Sequence, residues 1–237
     1  CKKEGIKPII GCEVYVAPRS RFDKEPNIDN KYNHLILLAK NNLGYKNLCK
    51  LVSAGFTEGY YYKPRIDLEI LEKYHEGLIA LSGCLAGALS TSILDGNYEQ
   101  AEKMAKWHKE LFKDDYYIEI QANRLKEQAL VNQKLVELSR KLEIPFVITN
   151  DAHYLKKEDS YNHEVLLCVQ TGKKMTDTDR MRFETDDFYI KSPEEIEEFF
   201  PNLKEGMENT VEIAEKCNVE FEFGHTILPN YDVPEEY

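Results

Sequence analysis

Short apolar, β-rich runs alternate with helical periods along the chain, and this alternation constrains the fold more than any other feature. Strands are predicted at residues 8–16, 34–38, 78–81, 116–120 and 145–149, and helices at 42–54, 97–112 and 127–142. Repeated strand and helix units are typical of an α/β fold with a parallel sheet. The unbroken apolar stretches at 35–38 and 146–148 indicate strands that are covered on both faces.

The two ends of the chain depart from this pattern. Lys2-Lys3-Glu4-Gly5 is typical of the last turn of a helix and its Gly stop, and five strands are too few to close a parallel barrel. The sequence therefore predicts that the chain begins inside a domain whose first strands lie upstream. After Tyr154 the strand signals fade: helices are predicted at 158–170, 193–199 and 202–216, and an extended connector at 227–234.

The net charge of −11 over 237 residues is unevenly distributed. Residues 1–175 contain 26 basic and 24 acidic side chains, whereas residues 176–237 contain 5 basic and 18 acidic ones. The acidity thus argues against a nucleic-acid clamp in the last quarter of the chain only. A site for a phosphate substrate stays open in the first three quarters.

The sequence lacks the features of secreted and membrane proteins. No run approaches the ~18 consecutive apolar residues of a spanning helix, and the N-terminus shows no signal-peptide or transit-peptide pattern. Six cysteines are scattered without a CxxC pair, which is typical of reduced thiols. The sequence therefore predicts a soluble, cytoplasmic protein with no membrane partner.

Five side chains with metal-ligating atoms lie within or at the edges of the predicted strands, where the functional groups of α/β proteins collect. They are Glu13, His34, Cys84, Asp151 and His153. The last two lie two residues apart after a buried strand, so they can ligate one ion or two neighbouring ions. Together the five offer the oxygen, nitrogen and sulfur donors of a zinc-type or manganese-type site.

Each of these residues also has a purely structural interpretation, which the sequence leaves open. Asp151 suits a turn or a helix cap while His153 packs, and His34 suits a hydrogen-bonded position in the core. Cys84 suits the position of a small buried hydrophobe. Glu13 interrupts an apolar strand and so needs a partner, and a salt bridge serves that purpose as well as a metal does.

A second candidate region, GYYYKPR at 59–65, places three tyrosines beside Lys63 and Arg65. Aromatic rings stack on bases and cations pair with phosphates, so this segment is predicted to bind an anionic substrate. The alternative is a surface loop whose tyrosines pack on their own scaffold. No Walker loop, GxGxxG, GxSxG or HExxH motif occurs, which excludes the common nucleotide-binding folds, serine hydrolases and zincins.

Several motifs follow one another along the chain: GIKPIIGCEVYV at 5–16, NHL at 33–35, KPRID at 63–67, LSGCL at 81–85, TNDAHY at 149–154, VLLCVQT at 165–171 and FYIKSPEE at 188–195. In this order they closely resemble the PHP domain of bacterial DNA polymerase III alpha subunits, and the likeness covers essentially the whole chain.

The resemblance implies an α/β fold, a distorted parallel (β/α)7 PHP barrel that is incomplete here, with a helical C-terminal extension. We expect residues 1–175 to form the barrel portion and residues 176–237 an acidic helical extension and connector toward a polymerase palm. Metal-binding members of the family hold up to three divalent ions, zinc or manganese. The matching ligand positions here are Glu13, His34, Cys84, Asp151 and His153, and the family's other ligands are expected upstream of Cys1.

In function, the resemblance implies a fragment of a replicative DNA polymerase, a nucleotidyltransferase whose Mg²⁺-dependent polymerase site lies outside this chain. The PHP domain of the intact parent is expected to be a 3′–5′ proofreading exonuclease, with Asp151 and His153 catalytic and Lys63 and Arg65 on the substrate phosphate. The alternative is a catalytically silent module that stabilises the polymerase and docks a separate proofreading exonuclease subunit. Expected partners are DNA and the other replicase subunits, and the fragment alone is expected to be inactive and to hold fewer ions.

Overall fold

The computed structural model describes residues 1–224 together with Thr226 and Leu228. Its strands are β1 (Gly11–Val16), β2 (Asn33–Ala39), β3 (Tyr60–Tyr61), β4 (Lys63–Ile66), β5 (Leu78–Leu81), β6 (Tyr116–Gln121) and β7 (Phe146–Thr149). Its helices are α1 (Asn42–Thr57), α2 (Leu68–Tyr74), α3 (Ala88–Leu94), α4 (Tyr98–Phe112), α5 (Lys126–Leu142), α6 (Ser160–Thr171), α7 (Pro193–Phe199) and α8 (Lys204–Lys216). The connector predicted at 227–234 lies, except for Leu228, outside the described residues.

The strands form one sheet in the order β3-β4-β1-β2-β5-β6-β7. Parallel pairs join β1 to β4, β5 to β6 and β6 to β7. The parallel sheet predicted from the sequence needs a correction, because β2 runs antiparallel to both β1 and β5, and β3 runs antiparallel to β4. The loop at 17–32 that joins β1 to β2 contains no helix, and strands joined without a crossover helix pair in antiparallel fashion.

The α/β class and the five predicted strands are confirmed, and the additional elements are short. β3 and β4 form within the segment predicted to bind substrate, where the sequence YYKPRI lacks an apolar alternation. α2 and α3 are seven residues each, too short for a clear helical period. Asp67 begins α2 by accepting a 3.0 Å hydrogen bond from the amide of Ile70, as an N-cap residue does.

The sheet is covered on both faces. On one face, apolar side chains of α1 to α5 pack against alternate strand residues such as Leu37, Ala80 and Ile118. On the other face, Ile213 of α8 packs with Tyr117 and Val147. Because Val14 and Leu35 belong to the first face, their neighbours Glu13 and His34 point to the second.

Helix α8, from the acidic last quarter of the chain, lies against the edge strand β7. The side-chain amide of Asn209 donates a 2.7 Å hydrogen bond to the carbonyl of Phe146, so the helix satisfies part of the open edge. Gly206 permits this approach, since a Cβ there would lie 2.5 Å from the Phe146 ring. Among the described residues, no helix is both long and apolar enough to cross a membrane.

Candidate metal centre

Strands β1 and β2 bring Glu13 and His34 together. Their antiparallel register pairs Tyr15 with His34 and Glu13 with Ile36. Residues diagonal to one another across such a pair share a face of the sheet, so the two side chains meet. Nδ1 of His34 lies 3.2 Å from Oε1 of Glu13. Because β2 is antiparallel to β1 and β5, its first residues lie at the edge of the sheet where β1 and β5 end.

The loop after β5 adds Cys84 to this pair. The amide of His34 donates a 3.0 Å hydrogen bond to the carbonyl of Ala86, which fixes the loop against the start of β2. Gly83 has a φ of +83°, and a Cβ there would lie 2.8 Å from the carbonyl oxygen of His34. Glycine therefore suits the turn both sterically and conformationally. Sγ of Cys84 lies 3.4 Å from Nδ1 of His34.

Glu13, His34 and Cys84 thus form a compact donor set. Each offers one ligand atom, and the three atoms lie within 4.8 Å of one another. Imidazole and thiolate are preferred zinc ligands, and a carboxylate oxygen suits zinc or manganese, so the residues present fit a divalent ion. We refer to these three residues below as the ligand triad.

The electrostatics of the ligand triad centre on His34. Its hydrogen bonds, first with Cys84 and then with Glu13, raise the pKa of His34 to about 10. The hydrogen bond from His34 in turn lowers the pKa of Glu13 below its ordinary value, against an opposing effect of burial. Without an ion, the charged imidazole therefore stabilises the carboxylate. A bound cation would take the place of the proton on Nδ1.

Asp151 and His153 line the same cleft as the ligand triad, but they lie outside its 4.8 Å cluster. The cleft has a volume of about 620 Å³. Burial raises the pKa of Asp151, and the charge of Glu13 raises it further, while His153 and His34 lower it. Nδ1 of His153 lies 2.7 Å from the carbonyl oxygen of Asp151, so Nδ1 carries the proton and Nε2 keeps a lone pair for a ligand.

The structure corrects the prediction that Arg65 contacts a substrate phosphate. Its side chain has no exposed surface. The guanidinium donates to the backbone carbonyls of Gly59, Arg21 and Asp23 at 3.1, 3.3 and 3.0 Å, and also to that of Asp29. Three of these four carbonyls belong to the 17–32 loop, which covers the guanidinium. Arg65 therefore holds the loop and is closed to any ligand.

Lys63, the other predicted phosphate contact, is exposed. Its Nζ lies 5.9 Å from the centre of the Tyr15 ring, and that ring lies 5.1 Å from the ring of His34. Lys63 therefore lies next to Tyr15, whose ring in turn lies next to His34 of the ligand triad.

The sequence did not single out Glu119, a 5% exposed carboxylate on β6. Its Oε1 accepts hydrogen bonds from Thr149 at 2.6 Å and Gln121 at 3.1 Å, and its amide donates to Ser82 Oγ at 2.9 Å. Burial raises its pKa. Glu119 thereby links the ends of β5, β6 and β7 beside the cleft. A charge inside an apolar strand, the signal that marked Glu13, was present here too.

The cleft is also lined by aromatic residues from the segment after α6, which the sequence analysis did not single out. The ring of His153 lies 5.0 Å from that of Phe183 and 5.4 Å from that of Phe188. The backbone of the same segment helps to place His153, whose amide donates a 2.8 Å hydrogen bond to the carbonyl of Phe188. This segment has no periodic apolar pattern, so its position could not be predicted.

Residues 1–123, just over half of the chain, match the PHP domain family. The chain belongs to the PHP domain family. Metal dependence is general among PHP domains, which agrees with a ligand triad able to hold an ion.

This PHP domain chain is similar over its whole length to DNA polymerase III subunit alpha proteins. It is 48% identical over 238 residues to that of Borreliella burgdorferi, covering 100% of this chain and 21% of the relative. It is 48% identical over 239 residues to that of Treponema pallidum, covering 100% and 20%, and 46% identical over 239 residues to that of Thermus aquaticus, covering 98% and 20%. The chain thus spans about a fifth of the length of these curated relatives.

Proposed function

We propose that this chain is the PHP region of a replicative DNA polymerase III alpha subunit and that its cleft is a metal-dependent 3′–5′ proofreading exonuclease site. The observation that carries the proposal is the ligand triad, three donors of different chemistry within 4.8 Å inside a cleft of about 620 Å³. The similarity to alpha subunits supports the polymerase context.

In this proposal Glu13, His34 and Cys84 hold a divalent ion, zinc or manganese, and Asp151 and His153 complete the ligands around a neighbouring position. Ions bound there would lower the pKa of a water molecule and neutralise charge on a phosphodiester. A carboxylate oxygen of Asp151 orients this water molecule and accepts a proton from it. His153 keeps Nε2 free because Nδ1–H donates to the carbonyl of Asp151.

The test is the substitution Asp151→Asn in a full-length alpha subunit that carries this chain as its PHP region. Asp151 has a φ of +50°, which asparagine tolerates as well as aspartate does, so the change removes the charge without new backbone strain. We expect release of nucleotides from a DNA 3′ end in Mn²⁺ or Zn²⁺ to be abolished while polymerisation is retained.

Asp114→Asn is the matched control, since Asp114 is exposed and lies just before β6, at the opposite edge of the sheet. It should leave both activities unchanged. Nuclease activity that survives Asp151→Asn would contradict the assignment.

A second candidate function is a structural module without catalysis, which stabilises the polymerase and docks a separate proofreading exonuclease subunit. One observation favours it: His34 Nδ1 lies within 3.4 Å of both Glu13 and Cys84, so a proton alone holds the three side chains together. Under this alternative, His34→Gln lowers the unfolding free energy equally with Zn²⁺ and with a chelator present. Under the metal proposal, the loss is larger with Zn²⁺, because binding stabilises only the intact site.

For the whole protein, we propose DNA-directed DNA polymerase activity in DNA replication, with Mg²⁺ at a polymerase site outside this chain. The proposed partners are DNA, a proofreading exonuclease subunit and the other subunits of the replicase. We place this activity in the cytoplasm, where a bacterial chromosome is copied. The names of the alpha-subunit relatives support these proposals.

A further inference from the structure

A row of aromatic rings and one cation extends from His34 of the ligand triad across β1 to the start of β4. The ring of Tyr32 stacks with His34 at 6.0 Å and an interplanar angle of 4°, and the ring of Tyr15 lies 4.6 Å from Tyr32. Nζ of Lys63 lies 5.9 Å from the Tyr15 ring. Tyr62, the residue before Lys63, forms the tip of the β3–β4 hairpin, and its ring lies 4.8 Å from that of Tyr61. We call Tyr15, Tyr32, Tyr62 and Lys63 the aromatic strip.

Tyr62 is held in an unfavourable backbone conformation. It lies between β3 and β4 with a φ of +60°, the left-handed region in which a bulky side chain costs about 1–3 kcal/mol. Glycine or asparagine is the usual residue at such a turn. The side chain of Tyr62 is nevertheless 69% exposed and gains little from burial. A strained and exposed aromatic ring points to a role in binding rather than in folding.

We infer that the aromatic strip binds single-stranded nucleic acid, receiving the nucleotides that precede a 3′ end whose last phosphodiester lies at the ligand triad. This inference rests on the proposed function, because it takes the ligand triad as the site that holds the 3′ end. Tyrosine rings stack on bases without sequence preference, which is what an enzyme acting on any 3′ end needs.

Charge supports a single strand as the occupant. Arg65, the second cation of the segment, is fully buried, so Lys63 is the cation that this segment offers at its surface. Rings combined with one exposed cation favour splayed bases with few phosphate contacts, whereas duplex DNA is held mainly through its phosphates. Stacking therefore carries most of the affinity, and Lys63 adds a modest dependence on salt.

The experiment measures fluorescence anisotropy of a 5′-labelled DNA oligonucleotide whose 3′-terminal linkage is a phosphorothioate, titrated with the 237-residue chain in Mn²⁺. Tyr62→Gly is expected to weaken binding about tenfold. The same change relieves the positive φ, so the unfolding midpoint in urea should stay the same or rise. Loss of affinity in an equally or more stable protein separates a binding role from a structural one. Lys63→Gln should reduce the slope of log K against log salt by about 0.7.

A matched tyrosine and lysine pair elsewhere provides the control. Nζ of Lys134 lies 5.7 Å from the ring of Tyr98, which is 48% exposed on α4. Tyr98→Leu and Lys134→Gln should leave oligonucleotide binding unchanged. An RNA oligonucleotide of the same length should bind in the same way, since the rings stack on either.

Three results would overturn the inference: no oligonucleotide binding by the wild-type chain, unchanged binding in Tyr62→Gly, or tighter binding of duplex than of single strand. Its failure differs from failure of the proposed function. If the strip variants bind normally while Asp151→Asn abolishes 3′ release, only the aromatic strip is wrong. If 3′ release survives Asp151→Asn, the exonuclease proposal is wrong whatever the strip does.

Discussion

Replacing Arg65 by methionine should lower the free energy of unfolding of the protein, although the sequence alone suggested that Arg65 binds substrate. Methionine fills much of the volume but offers no donor. Four backbone carbonyls lose the guanidinium as a donor, those of Gly59, Arg21, Asp23 and Asp29, although that of Gly59 keeps a 3.3 Å bond from the backbone amide of residue 65. The 17–32 loop contributes three of them, so its attachment to the sheet is weakened directly.

The magnitude follows from burial. Arg65 has no exposed surface, so water does not reach its partners in the folded protein. A buried acceptor that loses its partner costs about 1–3 kcal/mol, and the three loop carbonyls each lose one. Such losses are not additive, because the loop can shift and admit water. We therefore expect the unfolding free energy to fall by about 3–5 kcal/mol, a large part of the about 5–15 kcal/mol typical of a domain.

Urea unfolding followed by tryptophan fluorescence measures this change. Trp107, the single tryptophan, lies on α4 with its ring 5.0 Å from that of the buried His108, so its emission reports the packed state. Lys63→Met, two residues away on the same strand and exposed, should change the unfolding free energy by less than about 0.5 kcal/mol. A loss below about 1 kcal/mol in Arg65→Met would refute the reasoning. Weaker DNA binding at unchanged stability would restore the substrate role instead.

Two further predictions concern other buried features. Gly83→Ala should weaken metal binding and displace Cys84, since its Cβ would lie 2.8 Å from the His34 carbonyl oxygen; Gly96→Ala, also at positive φ but with no atom within 4 Å, should keep wild-type metal affinity in the same titration. His108 is 4% exposed, and burial lowers its pKa to about 4. In the unfolded chain, the imidazole of His108 takes up a proton near pH 6.5. The free energy of unfolding therefore falls as the pH drops from 6.5 towards 4. The loss is about 2.5 kcal/mol between about pH 7.5 and about pH 4.5. Urea unfolding of His108→Leu should show an acid loss smaller by that amount, and equal losses would contradict the prediction.

The parts of the fold that could be predicted are those specified by local sequence. β5 and α7 have the predicted bounds, because Leu78–Leu81 is an unbroken apolar run and Ser192 forms a capping box with Glu195. The direction of β2 could not be predicted, since direction depends on the connection and not on the strand itself. The short segments β3, β4, α2 and α3 were also missed, because so few residues carry no clear period.

The features of the candidate site that could be predicted are likewise those that depend on local sequence. Residue types at strand edges predicted a metal site with Glu13, His34 and Cys84 among its ligands, and the structure brings ligand atoms of these three within 4.8 Å of one another. Exposure could not be predicted in the same way. Arg65 and Lys63 both have cationic side chains and lie two residues apart, but the 17–32 loop buries Arg65 and leaves Lys63 at the surface.

The assembly of the ligand triad and the burial of Arg65 have one physical cause, which is the antiparallel direction of β2. Because β2 is antiparallel to β1, the first residues of β2 lie at the sheet edge where β1, β5 and β7 end, which is why His34 can meet Glu13 and Cys84. The same reversal requires the 17–32 loop to turn back across that edge. There its carbonyls need donors, and Arg65 on the neighbouring β4 supplies them. The connection that assembles the ligand triad is therefore the one that removes Arg65 from it, and in the strand segment 63–66 it leaves Lys63 as the exposed cation.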